Sequence, residues 1–396
     1  MIMTMRFVWS VVVALAACTP PVQAPTVPRA PAVAPARDLA TAKPTTPPDP
    51  ALQSAKDPRV VDLDIIRITA TQEGVGGNIE AESISTGDLF KQATEAARAH
   101  DTERALGLYR KLAADFPDSK YAPSCLYDIA AILDGRGDPE GTIATLRELI
   151  AKYPHSRESV DGHLYVAALQ TDHAQWTDAI ATLGAILART DLTYADRIEA
   201  FSREGYVRLE QHRYDDAESA LQQAVAEYRK APRIDDPYYI AMASYYLGEV
   251  SHRKFAEVPV KLPDDAMIAD LEHKRVLAVE AYDRWKASLD YHQAYWATAA
   301  GYQMSQIFVE LWEATVKAPY PDRIDLATRP RYIADVHDRV REHLAKALEG
   351  HRMNVELAKA YGVATTWSEG SAARAQQIAE LLAKDSAGDF VTPTGP

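Results

Sequence analysis

Residues 105–117 read ALGLYRKLAADFP, and residues 142–154 read TIATLRELIAKYP. Laid over each other, the strings share a small first residue (Ala105, Thr142) and a large one four positions on (Tyr109, Leu146). A leucine follows at seven (Leu112, Leu149) and a proline at twelve (Pro117, Pro154). Offsets of four and seven put these side chains on one helix face, and proline, with no backbone N–H to donate, closes the helix. The two strings lie 37 residues apart. The pattern returns as Ala179, Leu183 and Ile186, then one residue late as Ala217, Leu221 and Ala224. A chain of 396 residues admits several globular domains or one elongated array, and the repetition selects the array.

Twelve residues before each first position stands another small residue: Ala93, Ala130, Ala167 and Gly205. These units resemble the tetratricopeptide repeat. The resemblance implies paired antiparallel helices that cross at this position, where only a small side chain lets the backbones approach, and that stack because no pair buries its apolar face alone. The expected fold is all-α, a solenoid with four repeats over residues 85–232. The joints Phe116-Pro117-Asp118-Ser119-Lys120 and Tyr153-Pro154-His155-Ser156-Arg157 look like those of outer-membrane lipoproteins of the barrel-assembly and cell-division-coordinator groups.

The resemblance also implies a groove lined by the first helix of each pair. Carried onto this chain, it gives Phe90, Thr94, Ala97 and Arg98, then Tyr127, Ala131, Asp134 and Gly135. Next come Leu164, Ala168, Thr171 and Asp172, then Ser202, Tyr206, Leu209 and Glu210, and last Tyr245, Glu249, His252 and Arg253. Phe90, Tyr127, Tyr206 and Tyr245 are expected to form an aromatic stripe flanked by Asp134, Asp172, Glu210 and Glu249. Such a stripe suits a protein segment with apolar anchors and basic residues. The other reading packs these aromatics between helices and moves the partner to the convex face or the C-terminal cap.

Residues 233–387 read as an irregular fifth repeat and a cap of longer helices. Leu247-Gly248 marks the fifth crossing, with the second helix expected from Val276 to Leu289 after an insertion around Pro259–Pro263. Helices are expected at about 293–316, 332–361 and 368–385, and residues 388–396 as a disordered tail. Aromatic residues crowd this half and are expected mainly between helices. The string from Tyr295 to Gln303 looks like gliding-motility tetratricopeptide lipoproteins.

At the other end, the apolar run Phe7–Ala17 is too short to span a bilayer and suits a signal peptide over residues 1–17. Leu15-Ala16-Ala17-Cys18 resembles a bacterial lipobox, which implies lipidation of Cys18 and export. Thr19, not an aspartate, follows it, and the commonest sorting rule then implies the periplasmic face of the outer membrane. Residues 18–58, rich in Pro, Ala and Thr, cannot bury enough surface to order themselves and read as a tether. Residues 59–84 read as extended: Val61, Leu63 and Ile65 alternate with Asp62 and Asp64. A single strand is expected, either packed along the first helices or added to a partner's sheet edge.

Formal charge is −13, which disfavours nucleic acid as a partner. The chain lacks a phosphate-loop motif, His-Glu-x-x-His and Gly-x-Ser-x-Gly. Gly135–Gly141 reads as a turn with Asp138 capping the next helix, Cys125 as a buried thiol, and His337, His343 and His351 as solvated or capping. No catalytic residue, metal site, cofactor or small-molecule substrate is expected. Two functional classes stand. The first is an anchored scaffold, not an enzyme, binding envelope proteins through the groove or cap in outer-membrane assembly, division-linked wall synthesis or motility machinery. The second is a peptidoglycan-acting or glycan-binding envelope protein.

Overall fold

The computed structural model describes residues 64–72 and 79–393. The expected signal peptide and tether, with Cys18, and the last three residues lie outside them. Four helix pairs follow one another: α1 (Thr86–Arg98) with α2 (Thr102–Asp115), α3 (Ala122–Gly135) with α4 (Pro139–Lys152), α5 (Arg157–Asp172) with α6 (Trp176–Leu187), and α7 (Tyr194–Glu210) with α8 (Tyr214–Lys230). Longer helices continue the array: α9 (Tyr238–Glu257), α10 (Asp264–Ser288), α11 (Ala294–Val316), α12 (Arg329–Tyr361) and α13 (Thr366–Ser386). The fold is a tetratricopeptide-like α-solenoid.

The periodic residues are its core. Ala105, Tyr109, Leu112, Thr142, Leu146, Leu149, Ala179, Leu183, Ile186, Ala217, Leu221 and Ala224 have no solvent exposure, nor do Ala93, Ala130 and Ala167. At Gly205 an added Cβ would stand 2.4 Å from Leu221 Cγ, and at Gly248 2.3 Å from Trp285 Cδ1. Bulk at either crossing would force the paired helices apart. Local chemistry sets the ends: Ser85, Asp101, Asp138, Ser156 and Thr193 each cap a helix by accepting a backbone N–H. Asp138 with Pro139 at the first turn is the expected turn and cap.

Three expectations are corrected. The extended segment is a hairpin and not a single strand: β1 (Ile66–Gln72) pairs antiparallel with β2 (Ile79–Ser85), Ile66 opposite Ser85 and Gln72 opposite Ile79. The alternating Glu80 and Glu82 carried this strand signal in the sequence. The hairpin base packs along the first helices, where Arg67 donates to the Asp115 carbonyl at 2.7 Å and covers the Phe116 ring at 4.6 Å. Asp64 accepts from Tyr121 and pairs with Lys120.

Helix α10 starts at Asp264, twelve residues before the expected Val276. Its apolar residues form no single stripe, so periodicity hides it, although Asp264 and Asp265 suit a helix start. Finally, His337 and His351 are buried rather than solvated. His337 sits between the Asp385 carboxylate and the Val391 carbonyl, fastening α12 to the end of α13 and the chain beyond it. Cys125 is buried without a disulfide, and burial, then Asp128, pushes its thiol up.

Candidate protein-binding surface

From α3 to α13 each odd-numbered helix touches the next odd one, while the even-numbered helices make no comparable contact with one another. The odd layer is therefore the inside of the curve, the layer to which the repeat resemblance assigns the groove. Along that layer the same repeat positions change character. In α1 and α3, Phe90, Thr94, Ala97, Tyr127, Ala131 and Asp134 are half-buried, and Arg98 and Gly135 are exposed. In α5, Leu164, Ala168 and Thr171 are buried, leaving Asp172 half-buried. In α7, Ser202, Tyr206 and Leu209 are buried and Glu210 is half-buried. In α9, Tyr245 and Glu249 are buried, with His252 and Arg253 half-buried.

The expected aromatic stripe thus stops after Tyr127. Phe90 stacks on Tyr121 at 4.9 Å between ring centroids, and Tyr127 tilts against Tyr165 at 6.1 Å. Both keep an exposed edge. Tyr206 instead packs on Tyr246 at 4.8 Å, and Tyr245 on Trp296 at 5.2 Å, so neither offers a surface to a partner. The longer C-terminal helices bring further rings across the face and fill it.

The carboxylates expected to flank the stripe mostly brace it. Asp134 accepts from the Tyr165 hydroxyl at 2.7 Å, joining α3 to α5. Glu210 accepts from Arg253 at 3.3 Å, joining α7 to α9, and Glu249 from the Gln303 amide at 3.0 Å, joining α9 to α11. Beside Glu249, His252 Nε2 lies 2.7 Å from Glu310. Burial disfavours a charged imidazole, but Glu310 and Glu249 outweigh it and push His252 up to about 10. This half-buried ion cluster joins α9 to α11, and Glu310 also lines a pocket of about 350 Å³ with Phe255 and Lys274. Among the described residues, no group of three or more His, Cys, Asp or Glu side chains could hold a metal ion.

The residues that lock one repeat to the next escaped the sequence reading. Tyr153 donates to the Pro117 carbonyl and Arg189 to the Pro154 carbonyl, each at 2.7 Å, so the turn prolines that close one unit receive the next. Ser124 donates to Glu158 at 2.6 Å and Ser202 to the Tyr239 carbonyl at 2.9 Å. Their separations, 36, 35, 34 and 37 residues, are each about one repeat. Complementary groups one period apart are the signal that could have found them.

No curated protein matches this chain. Among solved structures it is similar to MamA (residues 41 to the end) from Desulfovibrio magneticus RS-1, at 17% identity over 48% of this chain and 92% of that one, TM-score 0.33. It is also similar to a tetratricopeptide repeat protein from Parabacteroides merdae ATCC 43184, at 10% identity over 76% and 98%, TM-score 0.34. The apo form of RapI gives 11% over 75% and 99%, TM-score 0.39. The tetratricopeptide repeat family model matches residues 89–119 and 124–156, the segments of the first two helix pairs. The chain carries tetratricopeptide repeats.

Proposed function

We propose that this protein is a scaffold lipoprotein of a bacterial envelope complex, anchored through Cys18 and holding a protein partner on the open inner face of α1 and α3. The observation that carries the binding role is the aromatic pair Phe90 and Tyr127, half-buried on the inside of matched tetratricopeptide repeats. Arg98, exposed beside it, adds a charge that a partner can use. Support for the anchor is the lipobox-like Leu15-Ala16-Ala17-Cys18. Several acyl chains, at about 0.8 kcal/mol per buried methylene, would hold the protein at a membrane. The reading places it at the periplasmic face of the outer membrane.

Two experiments test the two halves separately. Cys18→Ala should move the mature protein from the membrane to the soluble fraction; unchanged flotation with membranes contradicts the anchor. Pull-down from solubilised envelopes should recover a stoichiometric partner that Phe90→Ala with Tyr127→Ala loses, with folding checked by circular dichroism. Recovery of wall fragments without a protein would support the glycan reading instead.

A further inference from the structure

Helices α10, α11 and α12 form a groove of about 1280 Å³, which Ala372 and Ala375 of α13 also line. Its floor is a stripe of α11, Gly301, Met304, Ser305 and Phe308, spaced at i, i+3, i+4 and i+7. One wall is α12, with Met353 and Leu357; the other is α10, with Tyr282, and Leu289 just beyond its end. Close approach of α11 and α12 shapes it: a Cβ on Gly350 would meet Ser305 Oγ at 2.5 Å, and one on Gly301 would meet Asn354 Oδ1 at 2.3 Å.

The groove lies where large apolar side chains reach solvent. Met353, in its lining, is 63% exposed, and Met304, Phe308 and Leu357 beside it are half-buried. A contiguous apolar surface of this kind marks an interaction site. We propose that it receives an amphipathic α-helix of a partner protein, presenting apolar residues at i, i+3 or i+4, and i+7. This rests on the scaffold reading above and names a second surface and the class of its ligand.

The walls choose a helix over an extended peptide. All three are α-helices whose backbone groups are spent within themselves, so an extended strand would leave its own N–H and C=O groups unpaired against apolar side chains. A helix brings its backbone already satisfied and lays side-chain ridges into the grooves between facing helices. Charge refines the occupant. Glu349 and Arg352, both on this surface, form no ion pair among the described residues, whereas Lys346 and Glu356 are paired to Glu342 and Lys359. A bound helix with charges of both signs beside its apolar face answers them.

The test is selection from a displayed library of 20-residue peptides against the immobilised full chain, with affinities measured by fluorescence anisotropy. Met353→Glu and Ala360→Glu alter exposed positions of the lining and should leave circular dichroism unchanged. Selected peptides should carry the helical apolar spacing, gain helicity on binding, and bind at least tenfold more weakly to either variant. Extended or proline-rich peptides, or binding indifferent to both substitutions, would overturn the proposal. Binders lost instead with Phe90→Ala and Tyr127→Ala would overturn this groove while leaving the scaffold reading in place. A dimer detected by light scattering and abolished by Met353→Glu would give the groove to a second copy and overturn the partner-helix assignment.

Discussion

Helices α1 and α3 are 13 and 14 residues long, and their inner faces keep Phe90 and Tyr127 half-open. Helices α9 and α11, at 20 and 23 residues, hold Tyr245, Tyr246 and Trp296 buried on theirs. The same repeat position is therefore a surface at one end of the array and a core at the other. Repeat alignment assigns a position to a face; the length and bulk of neighbouring elements decide whether that face meets solvent. The repeat pattern supplies the frame, and the departures from it supply the difference.

The largest expected effect contrasts two rings. Trp296→Ala removes a fully buried indole and should lower unfolding free energy by about 3 to 5 kcal/mol, whereas Phe90→Ala should cost about 1 to 2. Urea denaturation of both variants measures this, and equal losses would break the comparison.

Next is the half-buried cluster of α9 and α11. His252 is pushed up to about 10 from 6.5, so the folded state holds its proton more tightly than the unfolded chain does. Its contribution is complete below pH 6.5 and is lost as pH rises through 10. His252→Gln leaves Glu249 and Glu310 without their cation and should cost about 3 kcal/mol at pH 6. The gap from the unsubstituted chain should narrow in denaturation curves taken toward pH 10. A gap constant with pH would remove the charge from the account.

Crossing geometry should separate glycines by position. Gly248→Ala forces the Trp285 ring to move and should cost about 1 to 3 kcal/mol. Gly107→Ala, with nothing within 4 Å of the new Cβ, should instead stabilise by about 0.5 to 1 kcal/mol through its helix. Thermal melts that rank the two the other way would contradict the crossing assignments.

The N-terminal repeats hold a pH-dependent group of their own. Burial raises the Asp128 carboxyl from 3.8 to about 6. Its proton is thus favoured in the folded state, and stability present at low pH is lost as pH rises through 6. Asp128→Asn should raise stability by about 1 to 2 kcal/mol at pH 8 and change little near pH 3.5; melts at the two values check the sign.

The all-α solenoid was legible because its core repeats: positions 105, 109 and 112 and their equivalents are the zero-exposure residues. The hairpin was half-legible, because β2 alternates glutamates with small residues and carries a weak apolar signal. The start of α10 was hidden for a related reason. Lys274 occupies a buried position on that helix, its ammonium donating to the Phe255 carbonyl at 2.6 Å. The binding face was legible only as a set of positions. Burial at Tyr245 depends on Tyr246, Trp296 and Trp367, rings brought there by tertiary packing that no local pattern specifies.

Hydroxyl-radical footprinting of the full chain, read by mass spectrometry, tests most directly whether the inner face is open at one end and sealed at the other. Phe90 and Tyr127 should oxidise at least tenfold faster than Tyr245 and Tyr246; comparable rates at the two pairs would contradict the account.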